Sequence, residues 1–272
     1  MLVDSHVHFA EFDPGDVPAL LERAASAGVS GFVAVGGDER VNRVCLDLCR
    51  RYPAMVAAVG YDREQDPARV DLALLEEQLK DPACAAVGEI GLDYHYGLTR
   101  KQEQRRMFDR MLAIAWESRL PVVVHSREAE EDTLAALQPF AGRYREEHRL
   151  PGVLHCFTGS SAFMEKLVEL GFLISFSGIV TFPNADEVRD TAAAVPEGSL
   201  LVETDAPLLA PQPVRGKRNE PAFLRYVAQS LAAVRRCTLE AIAEITTCNA
   251  VRLFGRRLVK NREAECGTGE PR

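Results

Sequence analysis

Eight short apolar runs recur along the chain, each followed by a longer amphipathic stretch. The runs cover residues 2–6, 31–35, 55–59, 85–90, 121–125, 153–155, 172–176 and 200–204. Runs this short and this uniformly apolar read as parallel strands buried on both faces. The stretches between them show helical spacing over about 17–27, 40–51, 68–80, 99–118, 128–137, 161–170, 184–195, 221–235 and 239–246, with a last turn at 249–254. In the second of these, Val41, Val44, Cys45 and Leu48 fall on one helical face. Thr99 is a candidate N-cap before Gln102. The simplest closure of eight such units is an α/β single-domain (β/α)8 TIM barrel over residues 1–258, with a doubly wound open sheet as the competitor. A length of 272 residues fits that barrel, and a 47% hydrophobic content fills its core. No solenoid-type repeat interrupts the pattern. Residues 259–272 are polar and aperiodic and are expected to form a disordered tail, in which Cys266 has no assigned role.

Composition narrows the function classes. No apolar run approaches the roughly 20 residues that a membrane span needs, so no membrane association is expected. An acidic strand follows Met1 almost at once, which argues against a signal peptide. Seven cysteines without framework spacing read as reduced thiols of a cytoplasmic protein. Cys45 and Cys49, four apart on a helix, read as core. A net charge of −8 argues against a broad non-specific grip on nucleic acid. It leaves room for an enzyme that captures one phosphate through bound cations.

In a barrel, catalytic residues gather at the C-terminal rim, from several strand ends. The first strand runs into Asp4-Ser-His6-Val-His8, and alternation in a strand projects His6 and His8 together. The fourth ends at Glu89, the fifth at His125, the sixth at His155, and the eighth leads into Asp205. Each has a plainer reading: a half-exposed strand, a core histidine, a glutamate paired with Arg127, an aspartate capping the turn before Pro207. A buried carboxylate is nevertheless costly unless it is paired or metal-bound. Four histidines and two carboxylates at one rim suit two divalent cations. Imidazole suits Zn2+, while carboxylates and phosphate substrates suit Mg2+ or Mn2+. Of the other two histidines, His148 lies in a polar run and reads as solvated. His95 lies just beyond Glu89 and is unassigned.

These segments resemble the TatD family of metal-dependent hydrolases, within the amidohydrolase-like superfamily. The resemblance is carried by Val3-Asp-Ser-His-Val-His8-Phe9, Gly88-Glu-Ile-Gly-Leu-Asp-Tyr94, Pro121-Val-Val-Val-His-Ser-Arg-Glu-Ala-Glu-Glu131, Leu154-His-Cys-Phe-Thr-Gly159, Leu200-Leu-Val-Glu-Thr-Asp-Ala-Pro207 and Arg215-Gly-Lys-Arg-Asn-Glu-Pro221. It spans residues 2–255 in order. Ala10 departs from it, since the family often has an acidic residue after the histidine pair. The resemblance implies a barrel with a two-metal phosphodiesterase site and DNase activity, in several cases 3′–5′ on single-stranded ends. It implies that His6, His8, Glu89 and Asp205 hold the more buried cation, and that Glu89, His125 and His155 hold the other, with Glu89 bridging. A glutamate where related amidohydrolases often carry a carboxylated lysine favours this branch over an amidase or phosphotriesterase.

The chemistry stands without the family. Two cations about 3.5–4 Å apart stabilise both attacking and leaving oxygens at phosphorus and acidify a water. Asp205, at the last strand end, is expected to accept that water's proton. Glu203 either orients a ligand or the water, or forms an ordinary barrel salt bridge. Arg127 contacts a substrate phosphate, or pairs with Glu128 or Glu131. Tyr94 stacks on a base or sugar, or packs its loop. The substrates expected are single-stranded DNA ends or another phosphoester, and no obligate protein partner is expected. Two alternatives are an esterase or amidase acting on a small or tRNA-linked carboxyl ester, and a metal-binding scaffold without turnover. The intact ligand set counts against the last.

Overall fold

The computed structural model of the chain describes residues 1–95 and 100–259. One sheet contains eight strands in chain order: β1 (Leu2–Val7), β2 (Val29–Gly37), β3 (Met55–Tyr61), β4 (Cys84–Asp93), β5 (Val122–Arg127), β6 (Gly152–Leu154), β7 (Leu173–Phe176) and β8 (Leu200–Val202). All neighbouring pairs are parallel. The two edges meet just past β8, where Val7 bridges to Ala206. There Asp205 N donates to His6 O at 3.1 Å and His8 N donates to Ala206 O at 2.9 Å. The chain is therefore a (β/α)8 TIM barrel, as its periodicity predicts. Around it lie α1 (Val17–Ser26), α2 (Glu39–Arg51), α3 (Leu72–Gln78), α4 (Lys101–Glu117), α5 (Glu130–Glu146), α6 (Ser161–Glu169), α7 (Asp186–Ala194), α8 (Leu224–Val234) and α9 (Leu239–Phe254).

Alternate strand residues feed two separate cores. Phe32, Ala34, Met55, Ala57, Val122 and Val124 face the helices. Val33, Val35, Val56, Ala58, Val123 and Val153 fill the barrel interior, plugged below by Leu253, Phe254 and Leu258. Higher in the barrel the lining turns polar, with Ser5 Oγ 3.0 Å from Ser175 Oγ and donating to Val202 O at 3.0 Å. The apolar floor thus leaves one end of the barrel for chemistry. Among the described residues no helix is long and apolar enough to cross a membrane.

Several element boundaries differ from expectation, for identifiable reasons. β4 runs three residues past Ile90, because Gly91 (φ 137°) continues the ladder instead of ending it. A Cβ at Gly91 would lie 2.0 Å from His125 O, so only glycine permits that approach. α5 passes through Pro139 to Glu146 rather than stopping at Leu137. α9 is one helix through Thr246 and Asn249, whose side chains bond backbone carbonyls of Ile242, Glu197 and Leu200. α3 starts later than expected, at Leu72, where Asp71 accepts from Leu74 N at 3.0 Å. The expected Thr99 cap lies outside the described residues, as do Cys266 and all but the first residue of the expected tail.

Candidate metal centre

The rim side chains converge as two sets of donor atoms. In the first, His6 Nε2 lies 3.2 Å from His8 Nε2, 3.4 Å from Glu89 Oε2 and 3.8 Å from Asp205 Oδ1. His8 Nε2 lies 3.7 Å from Glu89 Oε2 and 3.2 Å from Asp205 Oδ1. In the second, His125 Nδ1 lies 3.2 Å from His155 Nε2, and both are 3.5 Å from Glu89 Oε1. A tetrahedral ion with bonds of about 2.1 Å needs donor separations of about 3.4 Å. Both sets match that spacing, and Glu89 presents one oxygen to each.

The local backbone explains the convergence. β1 ends at Val7, so strand alternation does not carry His8; the His8 N bond to Ala206 O holds it beside His6. Asp205 has φ 56° and Cys156 has φ 45°, left-handed conformations that side chains rarely adopt. Such backbone clusters at functional sites. Asp4, buried below His6, accepts from Thr204 N at 2.9 Å and Thr204 Oγ1 at 2.6 Å, tying the first strand to the last.

A further ring of partners fixes the imidazoles. Glu203 is fully buried, and its Oε1 lies 3.3 Å from His155 Nδ1 and accepts from Cys156 N at 2.7 Å. It therefore adjoins a rim histidine rather than an arginine. Asp93 Oδ2 lies 3.1 Å from His125 Nε2. Arg63 Nη1 donates to Glu89 Oε1 at 2.7 Å, and its Nε lies 3.7 Å from Asp93 Oδ2. Sequence reasoning missed Asp93 and Arg63. Asp93 was hidden by ending the fourth strand at the glycine, although its spacing of four from Glu89 was visible. Arg63 follows a strand that bears no motif.

Burial opposes charge at His6, His8, Glu89, His125, His155 and Asp205, yet opposite charges prevail at most of them. At Glu89 burial is overcome by the His155 charge, by hydrogen bonds with His155 and His6, and by Arg63, which together hold the carboxyl well below the usual range. At His155 burial is outweighed by Glu89 and Glu203, lifting the imidazole to about 10. At Asp205 burial is likewise outweighed by the adjacent His8 imidazole and the charges of His6, His8 and His155, so the carboxyl is lowered. At His6 burial wins, and the neighbouring His155 charge lowers it further.

A cavity of about 710 Å³ opens over these atoms, lined by His8, Glu89, Asp93, His125, Arg127, His155 and Asp205 among others. Arg127 lines it as a half-buried residue at the end of β5. Tyr94 does not line it. The residue is 4% exposed, its hydroxyl donates to Asp132 at 2.6 Å, and Lys101 Nζ lies 4.2 Å over its ring. The expectation that Tyr94 stacks on a nucleotide is corrected: the residue packs its loop against α5. His95 Nδ1 sits 2.5 Å from Glu128 Oε1, outside the cavity lining. His148 is exposed at the far end of α5.

The donor set fits a divalent cation. Among the described residues, His6 Nδ1, Glu203 Oε2 and Asp205 Oδ1 are buried atoms that make no hydrogen bond. Such atoms are costly unless something else satisfies them. Asp205 Oδ1 points into the first donor set, at ligand spacing from two imidazoles. His6–His8–Asp205 and Glu89–His125–His155 each bring three potential ligand atoms within 4.8 Å of one another, as does His6–His155–Glu203.

Comparison with known proteins shows the family of the chain. The sequence profile of TatD related DNase matches residues 3–255. The uncharacterized metal-dependent hydrolase YabD of Bacillus subtilis is 37% identical over 257 residues, covering 93% of this chain and 99% of the relative. The 3′-5′ ssDNA/RNA exonuclease TatD of Escherichia fergusonii is 35% identical over 245 residues, covering 87% of this chain and 92% of the relative. Among solved structures, the TatD homologue YJJV of Escherichia coli superposes with a TM-score of 0.85 at 32% identity, covering 93% of this chain and 97% of that one.

Proposed function

The chain belongs to the TatD-related DNase family of metal-dependent hydrolases acting on ester bonds, and on that premise we propose that it is a two-cation deoxyribonuclease. In this reading it releases nucleotides from the 3′ end of single-stranded DNA. The observation that carries it is the division of Glu89: Oε2 stands with His6, His8 and Asp205, and Oε1 stands with His125 and His155. One carboxylate placed between two complete donor sets suits two cations side by side.

His6, His8, Glu89 and Asp205 would hold one cation, and Glu89, His125 and His155 the other. When bound, such cations acidify a water and offset the charge that develops on phosphoryl oxygens. The protein's own groups do the rest. Asp205, ionised and lining the cavity, accepts the water's proton at its carboxylate as the new P–O bond forms, and that proton passes to the oxygen that leaves as the ester P–O bond breaks. Glu203 and Asp93 fix the rotation of His155 and His125. Arg127 faces the incoming phosphate from the end of β5, where a guanidinium fits two phosphate oxygens. A concave mouth admits a strand end more readily than a continuous duplex.

The test is a 5′-labelled single-stranded oligonucleotide digested with added Mg2+ or Mn2+. A ladder shortening from the 3′ end is expected, with blunt duplex a poorer substrate. Internal cuts in closed circular DNA would overturn the exonuclease mode. Rapid hydrolysis of a chromogenic carboxyl ester, with no cleavage of DNA, would establish the esterase alternative instead.

A further inference from the structure

The loop that follows β8 takes no part in the proposed reaction. It carries Arg215, Lys217 and Arg218, all exposed, in a chain of net charge −8. Among the described residues none of the three pairs with a carboxylate. Arg215 lies over the ring of Phe182 at 4.2 Å and reaches only the Ala210 carbonyl at 3.5 Å. Arg218 lies over the ring of Phe12 at 4.6 Å and donates to the Glu11 carbonyl. Both guanidinium groups therefore rest on aromatic faces without a carboxylate partner. A guanidinium held this way presents a flat, cationic outer surface.

The loop is pinned to the site. Asn219, fully buried, donates to Thr204 O at 2.9 Å and to Leu208 O at 2.6 Å, and so ties the basic segment to the residue before Asp205. Gln212 N donates to Thr181 Oγ1 at 2.8 Å, joining this loop to the one after β7. Glu11, Ile179, Leu208 and Leu209 line the cavity on this side. Leu208 is 52% exposed, and with Met1 it is one of the large exposed hydrophobic residues among those described. The lining also carries Asp38, Arg40, Asp62 and Glu64, with Arg63 bound to Glu89. A polyanion leaving the cavity there meets three carboxylates and one exposed guanidinium, whereas here it meets Glu11 and three exposed cations.

We propose that Arg215, Lys217 and Arg218, with Leu208, form the track for single-stranded DNA, holding the nucleotides that flank the scissile bond. The three cations take successive phosphates, and each releases counterions when it does. The outer faces of Arg215 and Arg218 and the exposed side chain of Leu208 supply stacking surfaces for unpaired bases. A duplex keeps its bases stacked on one another and cannot use those surfaces. The choice of DNA rests on the phosphodiesterase reading, so the experiment separates the two.

Fluorescence anisotropy of a 5′-fluorescein thymidine octamer is measured in chelator, where no cleavage occurs. Three proteins are compared: wild type, Arg215→Gln/Arg218→Gln, and Arg215→Lys/Arg218→Lys. The glutamine pair is expected to weaken binding at least tenfold. It should also shrink the slope of log affinity against log salt by about 1.4, since each single-strand phosphate contact contributes about 0.7. The lysine pair should keep the slope yet bind more weakly, because the planar stacking surface is gone. Lys217→Gln gives a smaller loss and serves if the double variant melts early. Thymidine 5′-(p-nitrophenyl phosphate), which has no flanking nucleotides, reports separately on phosphodiesterase activity with Mn2+. Equal octamer binding by all the proteins, or none by wild type, overturns the track even if this diester is cleaved. Weakened binding in the glutamine pair establishes the track even if the diester is not cleaved.

Discussion

His125 Nε2 lies 3.1 Å from Asp93 Oδ2, which leaves its Nδ1 facing His155 and Glu89. A carboxylate on the far nitrogen fixes both ring orientation and tautomer, and raises the basicity of the nitrogen that meets a cation. Asp93→Ala should therefore weaken the His125–His155 cation by roughly 10–100-fold, the usual cost of losing such a partner. Metal titration checks this, with the His6–His8 cation as the internal reference. Unchanged affinity for both cations would show that Asp93 serves only packing.

Glu89→Gln should weaken both cations, and turnover should fall with them. Replacing one carboxylate oxygen by an amide removes an anionic donor from a set whose atoms stand 3.2–3.8 Å apart. His148→Ala, at an exposed position away from the cavity, should stay near wild type in the same assays. A Glu89→Gln protein with normal metal content and turnover would make the glutamate structural.

The convergence of the rim side chains was legible in the sequence because five of the six candidate donors stand at the end of an apolar run, and strand ends are where a barrel concentrates chemistry. His6, Glu89, His125, His155 and Asp205 all follow that rule. What the sequence hid depended on tertiary packing. Gly91 looks like a strand end but is the residue that lets β4 continue past His125 to Asp93. Arg63 has no local signature and is recognisable only by its distance to Glu89. Tyr94 shows the converse: an aromatic beside a motif looks like a stacking platform until Asp132 and Lys101 are seen to occupy it.

Cation binding should stabilise the fold, because the ligands come from strands far apart in the chain. A ligand at 100 times its dissociation constant adds about 2.7 kcal/mol. For chains of this size that raises Tm by roughly 5–11 °C, at about 2–4 °C per kcal/mol. Thermal melts with added Mn2+ or Zn2+, and after chelation, check this. Identical melting temperatures would mean that the donor atoms do not act together.

Asn219→Ala should cost about 1–3 kcal/mol, the penalty for leaving buried partners unsatisfied. The carbonyls of Thr204 and Leu208 both lose a donor. Because those residues flank Asp205, kcat should fall as well. A variant with lowered Tm but full kcat would separate this anchor from Asp205.

Cys45 and Cys49 are fully buried on α2, and burial pushes both thiols up, Cys49 to about 12. Among the described cysteines, exposed Cys237 should be alkylated first when native protein is treated with iodoacetamide at pH 8. Peptide mapping that finds Cys45 modified at a comparable rate would contradict the packing of α2.

The central claim is that this rim holds two divalent cations shared by Glu89. Elemental analysis of purified, cation-reconstituted protein tests it most directly. Close to two equivalents per chain are expected in wild type, with a clear drop in Glu89→Gln. Protein that retains no cation after reconstitution would contradict the account.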